Sequence, residues 1–245
     1  MKISAYQVVQ LVLIAIILVY LIYYVYTVLF DKKYLPKAWR EAARKGRIPA
    51  ELQKLERKYP DKVRLFNFWF QVERLKQDGI AGDFAELGVY KGDSAELLHL
   101  MDNTRTFHLF DTFSGFRKKD LQHEKGKAAT YTPRNFADTS LKLVKERLQS
   151  PRFVFHKGAF PDTTEGLDHL TFALVNMDAD LYLPTRAGLE YFYPRLAPGG
   201  VMMIHDYNPD WPGIMKAVDE FSATIPESRI VLPDQDSTVM IIRSK

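Results

Sequence analysis

The stretch Gly82-Asp83-Phe84-Ala85-Glu86-Leu87-Gly88-Val89-Tyr90-Lys91-Gly92-Asp93-Ser94 decides the fold. A short β-type run ends at Gly88, a glycine turn follows, and a helical pattern opens at Asp93. Gly88 and Gly92 let the backbone approach a ligand, and the start of the next helix offers free N–H groups. Taken alone, the same letters also describe a tight βα turn with no ligand. The spacing Glu86-x-Gly88-x-x-x-Gly92 departs from G-x-G-x-x-G, which argues against a nicotinamide enzyme.

Outward from this turn the chain alternates strands and helices, the mark of a doubly wound, mainly parallel α/β sheet. Strands are predicted near 83–88, 106–110, 152–156, 171–177, 200–205, 228–232 and 238–243, seven in all. Helices are predicted over 93–101, 139–148, 185–196 and 213–222. The last two strands lack a helix between them, so they read as a closing antiparallel hairpin.

In such a sheet the ligand sits beyond the carboxyl ends of the strands. The second strand ends at Asp111, placed to accept the two hydroxyls of a ribose, although a plain turn cap would look alike. Beside the glycine turn it favours a nucleoside ligand. At the third strand end Gly158 leaves room for a flat base. The fourth strand runs into Asp178-Ala179-Asp180 and the fifth into His205-Asp206. Adjacent ends would bring Asp178, His205 and Asp206 together as a donor set for a divalent cation. Asp180 and His205 are the candidate proton acceptors, and one imidazole nitrogen cannot both ligate a metal and take a proton.

Upstream lies Val8 to Phe30, 23 residues without a charge. At about 1.5 Å per residue this covers a hydrocarbon core of about 30 Å. A cleaved secretory signal has a shorter apolar region followed by small residues, whereas Tyr26, Leu29, Phe30 and Asp31 follow here. Lys2 stands alone before the span, while Lys32, Lys33, Lys37, Arg40, Arg44, Lys45 and Arg47 follow it, which predicts a single-pass protein with a cytoplasmic C-terminal domain. The expected organisation is an anchor at 1–31, a basic juxtamembrane helical segment at 32–80 and a catalytic domain at 81–245. Within the middle segment residues 36–79 read as helical, punctuated by Pro36 and Pro60, with Leu65, Phe66, Phe68, Trp69 and Phe70 as core.

Residues 31–80 hold 14 Lys and Arg against 7 Asp and Glu, while the whole chain carries a formal +4, so the rest is slightly acidic. A basic stretch beside an apolar one matches anionic lipid, and no base-reading motif accompanies it, so nucleic acid is not an expected partner. With no cysteine, disulfides, thiolate zinc sites and cysteine nucleophiles are excluded.

Four segments together resemble the macrocin O-methyltransferase family of sugar methyltransferases. They are GDFAELGVYKGDSA at 82–95, DTFSGF at 111–116, KGAFPDT at 157–163 and MDADLYLPTRAGLEYFYPRLAPGGVMMIHDYN at 177–208. The resemblance implies a Rossmann-like class I methyltransferase using S-adenosylmethionine, with Glu86, Gly88, Tyr90, Gly92, Ser94, Asp111, Gly158 and Asp178 as cofactor contacts. It further implies Mg²⁺ at Asp178 and Asp206, Asp180 as general base, and methylation of a sugar hydroxyl. His205 stands where the family usually has an aspartate. Imidazole in place of a hard oxygen weakens the case for Mg²⁺ and favours Mn²⁺. The anchor points to a small-molecule, sugar or lipid-linked acceptor near membrane lipid, and a homo-oligomer is compatible with this reading. The rivals are a catalytically inactive S-adenosylmethionine-binding scaffold and a nicotinamide-dependent oxidoreductase. The segment 118–134 reads either as a lid or acceptor loop or as a solvated one.

Overall fold

The computed structural model describes residues 4–30, 35–122 and 124–244. It divides into two compact units, residues 1–45 and 46–245. The first contains α1 (Ala5–Phe30) and α2 (Lys37–Arg44). Within α1, Ala5–Tyr26 is long and apolar enough to cross a membrane. Its mean hydropathy is 2.7 and none of its residues is buried in protein. Of the flanking charges, Lys2, Lys32 and Lys33 lie outside the described residues.

The second unit opens with α3 (Ala50–Lys58) and α4 (Lys62–Gln77), then alternates β1 (Asp83–Leu87), α5 (Asp93–Met101), β2 (Phe107–Asp111), α6 (Leu141–Arg147), β3 (Phe153–Lys157) and β4 (Phe172–Met177). It finishes with α7 (Tyr182–Phe192), β5 (Leu196–Ile204), α8 (Pro212–Ser222), β6 (Ile230–Val231) and β7 (Val239–Ile242). The seven strands form one sheet in the order β3-β2-β1-β4-β5-β7-β6. All pairings are parallel except those of β7, which runs antiparallel to both β5 and β6. The α/β class, the strand count and the closing hairpin agree with the sequence.

The order reverses between β1 and β4, so their carboxyl ends diverge from a common crevice. β4 is buried along its whole length, as expected of an apolar strand covered on both faces. Alternation then sorts its side chains. Val175 and Met177 join the cluster built by Leu189, Phe192, Ile214 and Val218 of α7 and α8. Asn176 points to the other face, where α4 and α5 lie.

Two boundaries differ from the sequence reading. The helix predicted over 185–196 starts earlier, at Tyr182, and stops at Phe192. Pro194 cannot continue it, so residues 193–195 form a single tight turn and β5 begins at Leu196. The helical stretch at 36–79 is cut a third time, because Pro49 starts α3.

Candidate active site

Beyond the β1 and β4 ends lies a cavity of about 780 Å³. That is within the roughly 300–1,000 Å³ usual for small-molecule sites. Gly88, Tyr90, Ser94, Asp111, Gly158, Asp178, Asp180, His205 and Asp206 all line it. Glu86 and Gly92 do not.

Glu86 sits fully buried beneath the turn. Its Oε1 accepts from Asn176 Nδ2 at 2.8 Å and from the Ser94 hydroxyl, while Oε2 has no partner. Burial outweighs these hydrogen bonds and pushes its carboxyl up to about 8. Gly92 is the N-cap of α5 in the left-handed region (φ 84°), packed against Leu148. Gly88 is left-handed too (φ 88°), and a Cβ there would strike the Asp178 carbonyl oxygen.

Asp111 is bound up with this turn. Its Oδ2 accepts from the N–H groups of Val89 at 2.7 Å and Tyr90 at 2.9 Å, and Oδ1 accepts from Phe113 N–H at 2.6 Å. Tyr90 and Phe113 are both non-glycine residues at positive φ (50° and 52°). One carboxylate therefore steadies two strained loop residues while still facing the cavity.

The acidic groups converge at the ends of β4 and β5. One ligand atom each from Asp178, His205 and Asp206 lies within 4.8 Å of the others. His205 Nδ1 is 3.3 Å from Asp178 Oδ1 and 3.1 Å from Asp206 Oδ1, yet it is buried without a hydrogen bond. Asp180 (φ 58°) and Asp206 (φ 65°) are also left-handed, placing backbone strain in the same corner. Asp180 is raised well above the ordinary carboxylate range by burial and by the charges of Asp178 and Asp206. For Asp178, burial works against the charge, but His205 and Arg64 overcome it and hold the carboxyl well below that range. Burial likewise opposes charge on His205, and Asp178 reverses the balance, raising the imidazole to about 10.

Several contributors escaped the sequence reading. Arg64 of α4 is buried and places Nη2 2.9 Å from Asp178 Oδ2. Its signal was a cation inside the apolar run around Leu65 and Phe66, since a charge buried there needs a partner. The segment 118–134 supplies Lys127 and Tyr131 to the cavity wall, with Lys127 Nζ 4.3 Å from the Trp211 ring centre. Burial pushes the Tyr131 hydroxyl up to about 12, helped by Asp180, Asp206 and Asp178. Among its described residues this segment is anchored by the buried Asp120 and Ala128, while most of the others are exposed.

An open sheet of this order, with a cavity at its switch point and acids at the ends of β4 and β5, is the Rossmann-like methyltransferase fold. The chain belongs to the macrocin O-methyltransferase (TylF) family, whose model matches residues 55–230. It is 30% identical over 163 residues to 8-demethyl-8-(2,3-dimethoxy-alpha-L-rhamnosyl)-tetracenomycin-C 4'-O-methyltransferase of Streptomyces olivaceus, covering 60% of this chain and 61% of that one. It is 30% identical over 172 residues to mycinamicin III 3''-O-methyltransferase of Micromonospora griseorubida, covering 64% and 67% respectively. The chain thus spans about two thirds or less of the length of these curated relatives. Among solved structures it resembles the O-methyltransferase NovP, with a TM-score of 0.65 at 27% identity over 75% of this chain and 81% of that chain. The calicheamicin methyltransferase CalS11 shares the fold at a TM-score of 0.59 and 21% identity, covering 99% and 94%.

Proposed function

We propose that the protein is a membrane-anchored, S-adenosylmethionine-dependent O-methyltransferase that acts on a hydroxyl of a sugar or glycoconjugate, with a divalent cation assisting. The observation that carries this reading is that the Gly88 turn, Asp111 and Gly158 share one cavity with Asp178, Asp180, His205 and Asp206. S-adenosylmethionine supplies a methyl group that its sulfonium already makes electrophilic. The protein must then align an acceptor oxygen and remove its proton.

In this assignment the cofactor lies along the β1, β2 and β3 ends, on Gly88, Tyr90, Ser94, Asp111 and Gly158, with Asp178 beside it. Glu86 and Gly92 shape that turn from below. Asp180 receives the hydroxyl proton at its carboxylate. His205 Nδ1 lies 3.3 Å from Asp178 Oδ1 and 3.1 Å from Asp206 Oδ1, so a divalent cation that displaced the imidazole proton would be held by Asp178 Oδ1, His205 Nδ1 and Asp206 Oδ1. Such an ion would lower the pKa of an acceptor hydroxyl. Mn²⁺ matches the mixed oxygen and imidazole set better than Mg²⁺.

Sugar chemistry is supported by the relatives, both named for O-methylation, and by Phe116, Tyr131 and Trp211 lining the cavity beside carboxylates. The length and composition of α1 support the anchor, and the basic residues after it support a cytoplasmic domain. We assign residues 1–31 to the anchor and 81–245 to the reacting domain, with 32–80 lending Arg64 to it.

The reading is tested by thermal shift with S-adenosylhomocysteine and with NADH, followed by transfer of labelled methyl into membrane lipid and glycan extracts. Stabilisation by S-adenosylhomocysteine with label in a glycan is the expected result. Stabilisation without transfer to any acceptor would favour the scaffold, and stabilisation by NADH alone would favour the oxidoreductase.

A further inference from the structure

α7 and α8 begin just after the two acid-bearing strand ends, and neither is capped by its own N-cap side chain, Leu181 or Trp211. Free N–H groups at a helix start need partners from elsewhere. Glu124 provides one from 58 positions away, its Oε1 accepting from Tyr182 N–H at 2.7 Å. Its Oε2 is buried in front of Gly213, the second residue of α8, where an added Cβ would collide with it. A single carboxylate thus caps α7 and packs against the first turn of α8, its Oε2 making no hydrogen bond there. Immediately downstream, Lys127 N–H donates to the Asp210 carbonyl at 2.7 Å and Ala128 enters the core.

We propose that Glu124 is a positioning residue: by capping α7 and seating against Gly213 of α8, it fixes residues 124–131 as the acceptor-side wall of the cavity. The word acceptor rests on the methyltransferase reading; the capping itself does not. Without Glu124 the segment loses its tie to α7, and Lys127 and Tyr131 lose their fixed place on the cavity wall.

The test is amide hydrogen exchange of the full chain in nanodiscs, with S-adenosylhomocysteine calorimetry alongside, for the parent, Glu124→Gln, Glu124→Ala and Gly213→Ala. Glu124→Gln should keep the protection of residues 126–131, because its amide oxygen still accepts from Tyr182 N–H. Glu124→Ala and Gly213→Ala should each speed exchange there by about tenfold or more, with S-adenosylhomocysteine affinity held within about twofold. Gly213→Ala is the sharper variant, since alanine favours a helix and should disturb the wall only by expelling the carboxylate. Unchanged exchange in both alanine variants would overturn the proposal, and so would equal acceleration in Glu124→Gln. A parent that fails to bind S-adenosylhomocysteine would sink the methyltransferase reading, while the exchange pattern would still decide the role of Glu124.

Discussion

Arg64 Nη2 lies 2.9 Å from Asp178 Oδ2, a contact that ties α4 to the end of β4 across 114 positions of sequence. Both groups are largely withdrawn from water, at 9% and 25% side-chain exposure. Removing one partner of a buried pair leaves an uncompensated charge, so Arg64→Met should cost about 3–5 kcal/mol of stability. Asp178→Asn in the same chain should recover part of that loss. Urea unfolding of the two single variants and the double variant measures the coupling; strict additivity would show that the contact contributes nothing.

Asp111 is predicted to matter for the cofactor through the loop it organises as well as through the cavity it faces. Asp111→Ala frees Val89, Tyr90 and Phe113 N–H groups and should weaken S-adenosylhomocysteine binding by about 1–3 kcal/mol. Calorimetry decides. Undiminished affinity would leave Asp111 a turn cap alone.

The acids at the ends of β4 and β5 should separate by role. Asp178→Ala or Asp206→Ala should abolish metal-dependent turnover, with partial recovery in excess metal. Asp180→Asn keeps the shape but cannot take the proton, so turnover should fall roughly 10²–10⁴-fold while cofactor binding persists. His205→Asp should shift preference from Mn²⁺ toward Mg²⁺. Equal rates in chelator, Mg²⁺ and Mn²⁺ for the parent and His205→Asp would remove the metal and return the base assignment to His205.

Acid stability should depend on a pair far from these groups. His156 Nε2 is 3.0 Å from His108 Nδ1, and burial, with the His108 charge adding, lowers His156 to about 4. A pKa depressed on folding gives stability that is complete above the unfolded value near 6.5 and is lost as pH falls through the folded one. His156→Phe should therefore flatten the decline in stability between pH 6.5 and 4, by on the order of 1 kcal/mol given the partial exposure of the ring. Parallel declines in parent and variant would show that His156 takes no part.

Alkaline carbonate should fail to extract the full chain from membranes, whereas a chain starting at Lys37 should be soluble and still bind S-adenosylhomocysteine. In sealed cells the domain should resist protease added outside. Digestion from outside would reverse the orientation.

Much of this was legible because chemistry follows strand ends. Asp111, Asp178 and His205 each sit where a β-run stops, so the succession of strands alone puts them on one edge of the sheet. Arg64 was legible only as a cation in need of a partner, for the opposite reason. It comes from a helix before the sheet, and nothing local says that an arginine among Leu65 and Phe66 meets an aspartate after β4. Glu124 was hidden likewise, since it lies in a loop and its partner Tyr182 opens a helix 58 positions away. Glu86 and Gly92 illustrate a third case: the turn motif was read correctly, but alternation along β1 and the cap of α5 aim them away from the cavity wall.

Gly88 meets the carbonyl of Asp178 closely enough that no side chain fits between them. If Gly88 also receives the cofactor as proposed, recognition and main-chain packing fall on the same position. A lineage that replaced this glycine would need the end of β4 to retreat in the same step, carrying Asp178 away from His205. Position 88 is thus expected to stay glycine for as long as the end of β4 keeps its place beside this turn.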